Sequence, residues 1–235
     1  MQGYFVTGTG TGVGKTYITT RLLRHWLEQG VEARGYKPVE SGISGKRHEE
    51  TDAGQLLLGS GRPVNVHTID SISPWRFQAP VSPDLAALRE GRDINMKHVA
   101  TFCRSQIGVR AAVTLFEGAG GVMSPIDRGY TNLDLIDELD IPAIVVAGSY
   151  LGSISHTLTA LSALRNRDIP IAALVVNASE VSPMGLTEHV NILRGHVGDI
   201  AVTGVSFKTK KGEIGVLAGL MTTGYMPRLT HKVRA

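Results

Sequence analysis

Apolar residues follow two alternating rhythms along this chain. Tyr4-Phe5-Val6, then residues 111–116, 143–147 and 171–176, form near-continuous apolar runs. Runs of this length and density predict strands buried on both faces. Shorter runs over 31–38 and 201–207 predict two more strands. Between them the spacing turns helical. Ile18, Leu22, Leu23, Trp26 and Leu27 share one face of a helix over about 16–29, with Gly30 as its stop. Further helices are predicted over 51–58, 83–90, 95–107, 132–139, 153–166 and 183–193, with Ser153 as an N-cap of the fifth of these. Residues 42–50 are polar and read as a surface loop. Residues 62–82 are broken by prolines and read as loop, and the chain from Lys208 is basic and Gly-rich and is left unassigned. Buried strands alternating with helices imply an α/β fold: a doubly wound, mostly parallel sheet with helices on both faces, in one domain over 1–235. Such sheets gather ligands at the carboxyl ends of their strands.

One stretch does not fit a packing rhythm at all. Thr7-Gly8-Thr9-Gly10-Thr11-Gly12-Val13-Gly14-Lys15-Thr16 follows the first strand and opens the first helix. Glycines at this density let backbone N–H groups turn inward toward an anion. Lys15 and Thr16 then fall at a helix start, where free N–H groups and the dipole favour phosphate. This is a strand, phosphate loop and helix in the P-loop manner, which predicts a P-loop NTPase-like, three-layer α/β/α architecture. The usual pattern has a glycine five places before Gly14; here that place holds Thr9, and counting from Gly8 leaves five intervening residues, so the loop is one residue long.

The other strand ends supply the remaining tools. Lys37 ends the second strand, Glu117 the strand over 111–116 in Glu117-Gly118-Ala119-Gly120-Gly121, and Asn177 the strand over 171–176. Lys15 is expected to reach the terminal phosphates. The Thr16 hydroxyl, with Asp52 and Glu117, forms the expected set of Mg2+ ligands, because Mg2+ takes hard oxygens in near-octahedral geometry. Taken alone, Asp52 is equally well explained as a first-turn helix acid and Lys37 as a solvated strand-end lysine.

Composition narrows the partners. A net charge of +3 with scattered Lys and Arg argues against nucleic acid. The single cysteine, Cys103, excludes an internal disulfide, reads as a packed thiol and fits a reducing compartment. No apolar run approaches the 18 or so residues of a membrane span, and the early first strand leaves no room for a signal peptide. The expectation is a cytoplasmic protein that does not enter the membrane.

The chain resembles the dethiobiotin synthetase family. The matching pieces are Val6-Thr7-Gly8-Thr9 through Val13-Gly14-Lys15-Thr16, Gly35-Tyr36-Lys37-Pro38-Val39-Glu40-Ser41-Gly42 and Thr51-Asp52-Ala53. Ala79-Pro80-Val81-Ser82-Pro83, Glu117-Gly118-Ala119-Gly120-Gly121, Leu151-Gly152-Ser153-Ile154 and Val176-Asn177 complete them. The resemblance implies ATP-dependent ring closure of 7,8-diaminononanoate with CO2 in biotin synthesis. It implies Lys37 as the catalytic lysine, supported by Lys15 and Thr11. Nucleotide would be held by Thr11, Gly12, Val13, Gly14, Lys15, Thr16, Asp52, Glu117, Gly118, Ala119, Gly120 and Asn177, with the Asn177 amide reading the base. Ser41 would hold the carbamate or the diamine. The resemblance also implies a homodimer with its site at the interface, where Gly152, Ser153, Ile154 and Ser155 of a neighbouring copy would meet the substrate carboxylate. By the same reading, Lys37→Ala is expected to leave the fold intact and to slow turnover.

The chain departs from the family pattern at several points. Gly10 and Gly12 stand where acidic residues are common, Ser155 where Asn is common, and His189 where a Tyr can help hold the carboxylate. Gly204-Val205-Ser206-Phe207 lacks the proline of the base-binding loop. Three other readings stay open. An amide-forming synthetase of the cobyrinate type would need a glutamine-splitting domain downstream. A switch ATPase of the MinD or ParA type would carry a lysine within residues 8–14, and this chain has none there. A family member that has lost its original substrate would fit the changes at Gly12, Ser155 and His189.

Overall fold

The computed structural model describes residues 2–109, 111–206 and 211–222. In chain order these form β1 (Gln2–Gly8), α1 (Lys15–Glu28), β2 (Ala33–Tyr36), β3 (Val39–Ser41), α2 (Asp52–Gly59), α3 (Val66–Ile72), β4 (Trp75–Phe77), α4 (Pro83–Arg89), α5 (Met96–Gln106) and β5 (Val113–Glu117). Then come β6 (Pro125–Asp127), β7 (Tyr130–Thr131), α6 (Asn132–Leu139), β8 (Ala143–Gly148), α7 (Ser153–Arg165), β9 (Ile171–Asn177), α8 (Leu186–Val197), β10 (Val202–Val205) and α9 (Lys211–Thr222).

Six strands make the central sheet in the order β10-β9-β8-β1-β5-β2, every pairing parallel. Every residue of β5 and β8 is buried, as continuous apolar runs require in a sheet covered on both faces. The chain leaves β1 toward β2 on one side and leaves β8 toward β9 on the other. The carboxyl ends of β1 and β8 therefore flank the switch point of the sheet, where α/β folds place their ligands. The register sets the ends side by side: Val6 pairs with Glu117, and Gly148 with Asn177.

The core follows from the helical stripe in α1. Ile18, Leu22, Leu23 and Trp26 are buried, while Leu27, predicted on the same face, is half exposed. Gly35 lets α1 approach closely, since a Cβ there would lie 2.6 Å from Leu23 Cδ1. Tyr36 stacks on Phe116 at 5.6 Å between ring centroids and meets Phe102 edge-on at 6.0 Å. Cys103 is fully buried on α5, and burial pushes its thiol pKa up, which is the behaviour of a packed rather than a reactive thiol.

Several predicted details differ. Residues 62–82 hold α3 and β4, which the reading as loop missed. α3 has seven residues and a reciprocal cap between Asn65 and Thr68, and with only Ile69 and Ile72 buried it is too short to show a period. β3 and β4 are three residues each and pair in parallel, away from the main sheet. The predicted N-cap Ser153 is instead the first helical residue. Gly152 caps α7 in the left-handed region, at φ 91, and the Ser153 hydroxyl turns inward to His189. α8 begins at Leu186 rather than at residue 183, and the last strand spans Val202–Val205, with Phe207 and Lys208 outside the described residues. The unassigned stretch after Lys208 contains α9, which lies against α1.

Candidate active site

The loop between β1 and α1 is shaped by what a side chain would strike. Gly14 sits at φ 96, and a Cβ there would lie 2.2 Å from Asn177 Nδ2. That amide donates to the Val13 carbonyl at 3.1 Å, so Asn177, at the end of β9, buttresses the loop from the side. Val13 is buried beneath the loop, while Thr11 and Gly12 are exposed at its tip. A Cβ at Gly10 or at Gly12 would meet nothing within 4 Å, so the two positions where acids are common border open space. Lys15 folds back over the loop and donates from Nζ to the Gly10 carbonyl at 2.8 Å. Burial, and then the charge of Lys37, lower its pKa to about 8, against the pull of Glu117 and Asp52.

Next to it lies an ionic cluster drawn from four segments. Glu117 is buried at the end of β5. Its Oε1 accepts from the Thr16 hydroxyl at 2.6 Å and from Lys37 Nζ at 2.8 Å. Lys37 also reaches Asp52 Oδ2 at 2.9 Å and donates to the Gly118 carbonyl at 3.1 Å. Its side chain is 3% exposed. Burial opposes the charge on Lys37, but Glu117 and then Asp52 outweigh it and hold the pKa above the usual lysine range. Burial likewise acts to raise the Asp52 pKa, and Lys37 reverses this into a lowering. The predicted residues Thr16, Lys37, Asp52 and Glu117 thus lie within one ion-pair and hydrogen-bond network, and Lys15 stands beside it, near enough to feel the charges of Lys37, Glu117 and Asp52. Lys37 is no solvated strand-end lysine, and Asp52 is more than a helix-start acid, because Thr51 supplies the cap of α2.

The turn after Glu117 is held from below. Asn132, buried at the start of α6, donates from Nδ2 to the carbonyls of Ala119 and Gly121, each at 2.7 Å. Gly120 lies at φ 74 with Ser124 Oγ 2.0 Å from where a Cβ would stand, and the Thr11 hydroxyl is 3.7 Å from the same point. Gly120 therefore borders the tip of the phosphate loop, and Gly121 lies against Gly10, while Gly118 packs against Asn132 and Phe5. Two supporting residues escaped the sequence reading. Asn132 carried no motif signal beyond its place at a helix start. Glu40 stood inside the Lys37 to Gly42 segment without an assigned role. It is 2% exposed, and it accepts from the Asp52 N–H at 2.6 Å and the Ala53 N–H at 3.3 Å.

The expected substrate-binding residues fall in two places. The Ser41 hydroxyl, at the end of β3, donates to the Val81 carbonyl at 2.7 Å, which joins two of the segments that carry the family resemblance. Gly152 to Ser155 follow β8, which β1 separates in the sheet from β5 and β2, the strands that bring Glu117 and Lys37. Ser153 Oγ and His189 Nε2 lie 3.2 Å apart, and both residues are buried. The preceding turn is bound to the Ser179 turn by reciprocal bonds, Ser149 N–H to Ser179 Oγ at 2.8 Å and Ser179 N–H to Ser149 Oγ at 2.9 Å. Ser155 is exposed.

The cluster has the chemistry of a hard-cation site. Glu117 Oε2 is buried and has no hydrogen-bond partner within the protein, and a bound cation or an ordered water would satisfy it. Among the described residues no three His, Cys, Asp or Glu side chains converge as a metal cage. Two carboxylates and a hydroxyl suit Mg2+, which takes hard oxygens and keeps several waters, rather than a cation that needs a full set of protein ligands.

Comparison with known proteins adds the family. The AAA_26 family model, described as an AAA domain, matches residues 2–209. A protein of Acidiphilium cryptum named ATP-dependent dethiobiotin synthetase BioD is 43% identical over 199 residues, 84% of this chain and 89% of that protein. One of the same name from Phenylobacterium zucineum is 45% identical over 204 residues, 86% of this chain and 87% of that protein. Among solved structures, the MinD cell division protein of Aquifex aeolicus aligns over 97% of this chain and 99% of its own with a TM-score of 0.57, at 12% identity, a likeness of fold alone. The chain belongs to the ATP-dependent dethiobiotin synthetases, on an AAA-type P-loop scaffold of three α/β/α layers.

Proposed function

We propose that the chain is an ATP-dependent cyclo-ligase that turns 7,8-diaminononanoate and CO2 into dethiobiotin, with ADP and phosphate as the other products. The observation that carries this reading is the identity of 43% over 84% of the chain to a relative bearing that enzyme's name. The ionic cluster supports it, because phosphoryl transfer asks a protein mainly for positioning and for cations placed where charge develops.

In this reading one amine nitrogen of the diamine bonds to the carbon of CO2 and loses a proton, giving a carbamate. A carbamate oxygen then attacks the γ-phosphorus, the bond to the β-phosphate oxygen breaks, and ADP leaves. The second amine attacks the carbamoyl carbon, the C–O bond to phosphate breaks, and a cyclic urea closes. Lys15 holds the β- and γ-phosphates, together with the backbone N–H groups of residues 11–16. Lys37 faces the carbamate and the transferring phosphoryl group, where its charge offsets the negative charge that gathers between them. Thr16, Asp52 and Glu117 would hold Mg2+. When bound, the ion neutralises phosphate charge and orients the γ-phosphate. Asn177 serves the nucleotide as a brace for the loop, and in this reading its amide also reads the base. Ser41 positions the diamine or carbamate.

The active unit in this reading is a cytoplasmic homodimer, with Gly152 to Ser155 of each copy, at the start of α7, facing the carboxylate of the substrate bound by the other; the Ser153 N–H is already given to the Tyr150 carbonyl at 3.1 Å, so the helix-start N–H groups that follow it are the ones offered. Among the described residues no helix is long and apolar enough to cross a membrane. The likeness to MinD does not favour a switch ATPase, since it is one of fold and residues 8–14 lack the lysine expected of that class. The direct test is product formation: with ATP, Mg2+ and bicarbonate, mass spectrometry is expected to find the cyclic urea from 7,8-diaminononanoate, and its absence would reject the assignment.

The low Lys15 pKa adds a pH dependence. Bound phosphates favour the charged amine, so the complex holds the proton to higher pH than the free protein does. ATP affinity is therefore expected to be flat below the free-protein value of about 8. Above it, affinity falls by up to about tenfold per pH unit until the pKa of the complex is reached. Titration calorimetry from neutral to alkaline pH measures this directly, and an affinity that stays level through that range would contradict it.

A further inference from the structure

Glu40 is a buried acid with no place in the mechanism above. Burying a carboxylate is costly unless its oxygens are satisfied, and here both are directed at one helix start. Oε1 accepts from Asp52 N–H at 2.6 Å and Oε2 from Ala53 N–H at 3.3 Å. The next N–H of α2, on Gly54, goes to the Thr51 hydroxyl at 3.0 Å. The first three donors of α2 are therefore all engaged, two of them by one side chain from β3. Burial, followed by the charge of Asp52, raises the Glu40 pKa, so the carboxylate sits there at some electrostatic cost.

The position of Glu40 in the chain gives this contact its consequence. Glu40 follows Lys37 by three residues, across Pro38 and into β3. Asp52 lies twelve residues further on, beyond a stretch whose residues 44–50 are exposed. The ion pair between Lys37 and Asp52 joins the two segments by flexible side-chain atoms alone. Glu40 joins them through the Asp52 backbone, and so fixes where the Asp52 carboxylate can stand relative to Lys37 and Glu117. The close approach of Gly54 to the His48 carbonyl, 1.9 Å from where a Cβ would lie, shows how tightly the start of α2 is seated.

We propose that Glu40 is a positioning residue of the phosphoryl-transfer site, which sets Asp52 as a metal ligand by clamping the first turn of α2 to the strand that follows Lys37. The inference rests on the proposed role of Asp52 in holding Mg2+. Glu40→Gln keeps the size of the side chain but removes the charge and points an N–H2 at one of the two N–H groups, so Asp52 is released. The probe is Mn2+, titrated with free Mn2+ read by electron paramagnetic resonance, in the presence of a non-hydrolysable ATP analogue; affinity for the analogue without metal is measured alongside. Mn2+ affinity is expected to fall about tenfold, the scale for losing a residue that orients a metal ligand, while metal-free analogue affinity stays within about twofold. Glu40→Asp keeps the charge but shortens the reach, and is expected to show the same selective loss at smaller amplitude should the first variant not fold. Unchanged Mn2+ affinity, or a loss shared equally by metal and nucleotide together with a lower melting temperature, would make Glu40 a structural anchor only and overturn the proposal. A wild-type protein that makes the cyclic urea yet takes up no Mn2+ would remove the metal role of Asp52 and this inference with it, and leave the assigned reaction standing.

Discussion

Lys37→Ala is expected to slow dethiobiotin formation by about 10²-fold or more, the scale for losing one donor aimed at developing charge. The structure adds a second expectation. Lys37 is the buried cation between Glu117 and Asp52, at 2.8 and 2.9 Å. Removing one partner of a buried ion pair leaves the other uncompensated and costs roughly 3–5 kcal/mol. The sequence alone predicts a variant that folds as well as the parent; the burial of Lys37 revises that to a marked fall in the denaturation midpoint of the metal-free protein. Added Mg2+ is expected to recover part of the stability, by supplying a cation to the same carboxylates, and none of the turnover. Unchanged stability, or turnover near that of the parent, would contradict the assigned position of Lys37.

Gly14→Ala is expected to be the most damaging single methyl in the phosphate loop. Its φ of 96 lies where an L side chain is strained, and its new Cβ would stand 2.2 Å from Asn177 Nδ2. Strain of this kind is worth roughly 1–3 kcal/mol, or about 5- to 150-fold in ATP affinity if it is expressed in binding. Asn177 must move for the methyl to fit, and that releases the Val13 carbonyl. The double variant Gly14→Ala, Asn177→Ala relieves the clash but not the backbone strain, so it is expected to recover only part of the affinity. Calorimetric titration of both variants with ATP separates the two terms, and an affinity in the single variant equal to that of the parent would contradict this view of the loop.

The sheet was legible because its buried strands carry unbroken apolar runs, and β5, β8 and β9 fall where those runs stand. The phosphate loop was legible because glycines at such density have no packing use. Apart from α9, in the stretch left unassigned after Lys208, the elements missed were short. α3, β3 and β4 have seven, three and three residues, too few for a period to repeat. Ser153 was misread because a serine before a helix is a good cap in general, whereas here a glycine in the left-handed region does that work and the serine serves His189. The ion pairing of Lys37 with Asp52 and Glu117 could be expected from the motifs together but not from any one of them. Glu40 and Asn132 act through backbone groups of other segments, which no local pattern displays.

The central claim is that ATP cleavage in this protein serves ring closure. The measurement that reaches it most directly follows phosphate release and cyclic urea together, with ATP, Mg2+ and bicarbonate present and 7,8-diaminononanoate added or withheld. The account predicts that phosphate appears only with the diamine and matches the urea mole for mole. Phosphate released at the same rate without the diamine, and with no urea formed, would contradict it and leave an ATPase on this scaffold.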